Sequence, residues 1–221
     1  MIMTSSAFSL LTMTGASAML LAVLVVLWRR HIPAYISAFR WQSIALSFVG
    51  AVVAWHTGSP ELFAVAAAML AFKGVLVPAL LRRMAARFPA QQELQPIVNT
   101  EASLLVSGFL AIAAYEVSRP LAAVVSLPTR GGLPVALALI LISVFVIVSR
   151  RRPITQIVAF LMLENGIALL ALLGAYGVPL IVELGVFLDL LLGVLVMQAI
   201  LHRLPVAGAV APLASAASPE S

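Results

Sequence analysis

A chain of 221 residues that is 63% hydrophobic and only 10% charged, with a mean hydropathy of +1.14, is not the composition of a water-soluble domain, which runs nearer half apolar and a quarter charged. The absence of cysteine excludes a disulfide framework, thiolate metal sites and iron–sulfur ligation. A formal charge of +5 and a pI near 10.7 fit basic residues gathered on the cytoplasmic side of a membrane better than they fit nucleic-acid binding.

Seven apolar stretches are long enough to cross a hydrocarbon core about 30 Å thick. The first, 8–28, follows no basic residue and runs straight into Arg29 and Arg30, so it reads as a retained span rather than a cleaved signal. The second, 33–55, carries Arg40 near its inner end, where a long aliphatic stem can snorkel to the interface. The third, 62–81, contains Lys73, and the fourth, 97–117, has Glu101 in its first turns. The fifth, 133–148, opens on Gly131, Gly132 and Pro134. The sixth and seventh are 153–176 and 178–201. Strands with open edges cannot sit in lipid and barrel alternation is lacking, so the spans are predicted to be helices. Residues 205–221, rich in Ala, Ser and Pro, read as a disordered tail.

The charges orient these spans. With the N-terminus outside, all of the 13 Lys and Arg residues except Arg119, Arg130 and the intramembrane Lys73 fall on the inner side, a strong positive-inside bias. The expected architecture is therefore an all-α integral membrane protein with seven transmembrane helices, N-terminus outside and C-terminus inside.

Three ionisable residues are not explained by that layout. Glu164 lies about 16 Å along its helix from Pro153, and Lys73 and Asp189 sit at similar depth in their own spans. A charge at the bilayer centre costs about 2.5–3.5 kcal/mol on insertion scales, so all three should face a bundle interior, a partner subunit or a water-filled path. Two readings compete. Lys73 pairs with Glu164 or Asp189 and holds the bundle together, or the carboxylates form a proton or ion relay. Desolvation favours the neutral acid and a neighbouring ammonium favours the carboxylate, and a relay exploits that competition.

Other polar residues read more plainly. Glu183 does not share a helix face with Asp189 and reads as an outer-half lining residue or as a merely structural one. Glu101 either caps its helix or pairs with Arg82 or Arg87, and Glu61 and Glu116 lie at solvated span ends. His31, His56 and His202 fall at interfaces without ligand spacing, so neither a metal nor a cofactor site is expected. Trp28, Trp41 and Trp55 fit an interfacial aromatic belt. No phosphate loop, nucleophile elbow or zinc-peptidase motif is present. A catalytic site on this chain is not evident.

The chain also resembles itself at a shift of about 122 residues. Arg29-Arg30 precede Gln42 as Arg151-Arg152 precede Glu164, and Gln42-Ser43-Ile44-Ala45-Leu46 aligns with the segment from Glu164 to Leu169 with one residue of slack. Each unit then has a span with a central charge, Lys73 or Asp189, ending in Arg82-Arg83 or His202-Arg203. This predicts a parallel repeat of three spans, one linking span and three spans: units 1–90 and 130–204 joined through 91–120, within a single membrane domain 1–204.

The second unit carries a family resemblance. The stretch 149–167, with Arg150, Arg151, Arg152 and Pro153 leading to Leu163-Glu164-Asn165-Gly166-Ile167, resembles subunit K of NADH–quinone oxidoreductase and the C subunit of multisubunit sodium/proton antiporters. The later run from Glu183 through Asp189 to Gly193, with Gln198 and His202-Arg203, resembles the third helix of that group. Length, extra N-terminal spans and the Leu-Glu-Asn-Gly-Ile form together look most like the hydrogenase-4 component E family. That resemblance implies a multi-pass subunit of the bacterial cytoplasmic (inner) membrane, within a complex-I-like group 4 [NiFe]-hydrogenase or formate hydrogenlyase assembly. It implies partner membrane subunits of the antiporter-like kind, with metal and electron-transfer chemistry on other subunits. It places a mid-membrane proton track on Glu164 and Asp189, the second acid being Asp where the relatives have Glu. In the N-terminal unit the corresponding positions carry Gln42 and Lys73, and Lys73 resembles the central lysines of antiporter-like subunits. The expected function is a proton-conducting or coupling subunit. The alternatives are a structural membrane anchor of the same complex without an ion path, and an independent small ion transporter; the absence of an inverted repeat or a broken helix argues against the latter.

Overall fold

The computed structural model describes residues 4–86, 97–124 and 129–174. Within them, six helices are long and apolar enough to cross a membrane. The chain is thus a helical, multi-pass membrane protein. The seventh predicted span, 178–201, and the predicted tail, 205–221, lie outside the described residues.

Helix α1, Ser5–Trp28, starts where the Thr4 side chain accepts a hydrogen bond from the Ala7 N–H. Helix α2, Ile32–Thr57, begins with Pro33 in its first turn and stops at Gly58, whose positive φ of 67° closes the helix. Helix α3, Pro60–Ala85, is capped by Ser59 with proline at the first helical position. Helix α4, Thr100–Val124, starts later than the apolar run suggests, because the Asn99 carboxamide oxygen accepts from the Ala102 N–H and fixes the start there. Helix α5, Leu133–Ser149, and helix α6, Pro153–Gly174, follow, each opened by a proline in its first turn.

Helix α3 departs from regular geometry. Leu70–Leu76 forms a π-helical stretch, in which the Val77 N–H reaches back to the Phe72 carbonyl. Pro78 follows immediately and supplies no N–H, so the preceding carbonyls cannot all be satisfied by an uninterrupted α-helix. The wider turn has Lys73 at its middle.

Two antiparallel hairpins form the centre of the bundle, α1 with α2 and α5 with α6. They pack α1 beside α5 and α2 beside α6, while α3 flanks α2 and α4 lies against α5 and α1. The apolar interior divides into two clusters. One gathers Val26, Ile36, Phe39, Leu81, Val146, Val158 and Met162 at the arginine-rich end. The other gathers Phe8, Leu46, Val53, Leu62, Leu133, Leu139 and Leu173 toward the opposite end. Along α2, α3 and α6 the residues between these clusters are polar, and that interruption is the site.

A buried polar layer between helices α2, α3 and α6

Lys73 is 2% exposed, and Gln42, Ser43 and Asn165 are similarly enclosed. Its ammonium Nζ stands 3.5 Å from Glu164 Oε2. It also donates to Asn165 Oδ1 at 3.1 Å. The ion pair joins α3 to α6 at mid-length of both spans, where an unpaired ammonium would be most costly. Of the two sequence readings of Lys73, the geometry realises the pairing with Glu164.

From Asn165 the layer continues into the first hairpin. The Asn165 amide nitrogen Nδ2 donates to Gln42 Oε1 at 3.0 Å and to Ser43 Oγ at 3.1 Å. The Ser43 hydroxyl donates to the Phe39 carbonyl at 3.0 Å, and Gln42 Nε2 donates to the Met19 carbonyl of α1 at 3.5 Å. Gly166, next to Asn165, makes this approach feasible: a Cβ there would collide with Leu139 and Ile140 of α5. The missing side chain lets α6 lie close on α5 while its polar pair is turned to α2 and α3.

Of the residues singled out from sequence, Lys73 and Glu164 are in direct contact and Gln42 joins them through Asn165. Glu101 is exposed in the first turn of α4, and the structure does not bring it into this layer. Asp189 and Glu183 lie outside the described residues. Sequence reasoning passed over Asn165 and Ser43, although Asn165 stands beside the glutamate it helps to serve. It also passed over the π-helical turn, for which Gly74 and Pro78 after Lys73 were the available signal. Among the described residues, no three His, Asp or Glu side chains come together as a metal site.

A second polar contact lies at the arginine-rich end. Arg150, expected as a cytoplasmic surface charge, is 1% exposed. Its Nη2 donates to the Val26 and Leu27 carbonyls at 3.1 and 3.0 Å, closing the last turn of α1. These two bonds and the two from Asn165 to Gln42 and Ser43 all link residues 122 to 124 positions apart. The hairpins therefore touch at positions separated by close to the repeat shift read from the sequence.

Comparison with known proteins gives two kinds of relative. The chain is 37% identical over 203 residues to the protein Rv0085 of Mycobacterium tuberculosis, covering 91% of this chain and 92% of that one. It is 24% identical over 163 residues to hydrogenase-4 component E of Escherichia coli K12, covering 74% of this chain and 76% of the relative, with the same likeness to the Shigella flexneri protein of that name. No protein-family model and no solved structure matches the chain.

Proposed function

We propose that this chain, which belongs to the family of the Mycobacterium tuberculosis protein Rv0085, is a non-catalytic membrane subunit of a complex-I-like hydrogenase assembly. In this role it helps to move or couple protons through Lys73, Glu164 and Asp189. The assembly is inferred from the likeness to hydrogenase-4 component E. The proton role rests on one observation, the enclosed Lys73–Glu164 ion pair at mid-length of α3 and α6. Glu164 retains 15% side-chain exposure where Lys73 keeps 3%. On this reading the acid is the exchanging group, and the ammonium sets the charge against which it exchanges. Asp189, on the seventh predicted span, is the second acid of the track by resemblance, and Gln42, Glu101 and Glu183 are candidate lining residues. The partners are other membrane subunits, antiporter-like ones among them, and the location is the bacterial inner membrane.

The parallel repeat belongs to the same proposal. It is supported by the four hydrogen bonds between the hairpins, each joining positions close to one repeat length apart. A second reading is favoured by the same ion pair: Lys73 and Glu164 fasten α3 to α6 as a lock, and the chain anchors its complex without an ion path. Glu164→Gln separates the two. A relay predicts an assembled complex on native gels with proton-linked turnover lost, whereas a lock predicts loss of assembly before loss of coupling.

A further inference from the structure

Asn165 is fully enclosed and holds both the oxygen and the nitrogen of its carboxamide in use. Its orientation is dictated from two sides. Ser43 spends its single hydroxyl hydrogen on the Phe39 carbonyl, so toward Asn165 its oxygen can only accept. Gln42 likewise turns its Nε2 to the Met19 carbonyl and presents Oε1. Both acceptors claim the Asn165 Nδ2 hydrogens, which leaves Oδ1 facing Lys73, an ammonium that can only donate. The network is thus sorted: from Lys73 every donor points away, through Asn165 and then Gln42 and Ser43, to two main-chain carbonyls.

Lys73 therefore has two unlike acceptors on α6. Glu164 changes charge when it takes a proton, and Asn165 does not. We propose that Asn165 is a positioning residue that keeps Lys73 docked in the layer while Glu164 is protonated, so that the neutral acid passes its proton onward with the ammonium held in register. This rests on the relay reading for its purpose, although the anchoring itself can be measured without it. A merely structural Asn165, tying α6 to α2, would be indifferent to the charges of Lys73 and Glu164.

The test is a mutant cycle read in two ways on the full chain. Thermal unfolding of the purified chain in detergent is compared for Asn165→Leu, Glu164→Gln, the two together, and Asn165→Leu with Lys73→Met. Glu164→Gln imitates the protonated acid. Anchoring predicts that the loss in Tm for Asn165→Leu with Glu164→Gln exceeds the sum of the single losses, and that Lys73→Met relieves much of the loss caused by Asn165→Leu. In native membranes, the pH profile of coupled turnover should be displaced in Asn165→Leu. It should return most of the way in Asn165→Ser, whose hydroxyl can accept from Lys73. Additive Tm losses in every background, together with an unmoved pH profile, would overturn the proposal. If Asn165→Leu does not fold, Asn165→Ala, which likewise offers Lys73 no acceptor, carries the same cycle, with the same additive outcome counting against anchoring. Failure of the relay reading shows separately, as normal coupling in Glu164→Gln, and leaves the Tm cycle to decide the anchoring.

Discussion

Lys73 on α3 and Glu164 on α6 face one another at 3.5 Å in the layer that parts the two apolar clusters of the bundle. Neither side chain is there by packing preference: each interrupts a predominantly apolar span of membrane length. Removing one partner leaves the other's charge uncompensated by this pair in a low-dielectric interior, whereas removing both leaves only the uncharged Gln42, Ser43 and Asn165 as polar groups of the layer. Lys73→Met is accordingly expected to cost about 3 kcal/mol of stability. Lys73→Met with Glu164→Leu should be the more stable of these two proteins in detergent. A double variant that unfolds at a lower temperature than Lys73→Met would count against the pair as the cause.

Arg150 offers a prediction that its neighbours do not share. Its guanidinium closes the end of α1 from the loop after α5, and it is enclosed where Arg151 is exposed. Arg150→Ala leaves the Val26 and Leu27 carbonyls without that donor and should cost about 1–3 kcal/mol. Arg151→Ala should leave the unfolding temperature nearly unchanged. Equal effects of the two substitutions would mean that cytoplasmic charge, not the helix-end contact, is what matters there.

Two glycines of similar sequence context should respond in opposite directions. A side chain at Gly166 meets Leu139 and Ile140, so Gly166→Val should push α6 from α5 at a cost of about 1–3 kcal/mol. Gly108 of α4 has nothing within 4 Å of an added Cβ among the described residues. Gly108→Ala should therefore be neutral, or stabilise the helix by up to about 1 kcal/mol. Melting curves of the two variants side by side check the close approach on which the placement of Asn165 depends.

The six spans among the described residues were legible because an unbroken apolar run of membrane length has few other uses. Their ends were less so: Asn99 moves the start of α4 to Thr100, and capping chemistry overrides hydropathy there. Lys73 and Glu164 stood out because charge in such a run is costly. Asn165 and Ser43 did not, since an uncharged polar residue in an apolar helix is cheap enough to be common and its partner lies far off in sequence. The π-helical turn was hidden for a related reason, because Gly74 and Pro78 each weaken a helix without saying how the strain is absorbed. Arg150 was grouped with its neighbours by charge, and only packing distinguishes it.

On the proposed relay, the Lys73–Glu164 pair takes part in proton coupling rather than only in fastening helices. That role is tested most directly by proton-linked turnover of the native membrane complex carrying Glu164→Gln, with assembly followed on native gels. A relay predicts a complex assembled at wild-type abundance in which coupling is lost. Assembly and coupling both at wild-type levels would contradict it.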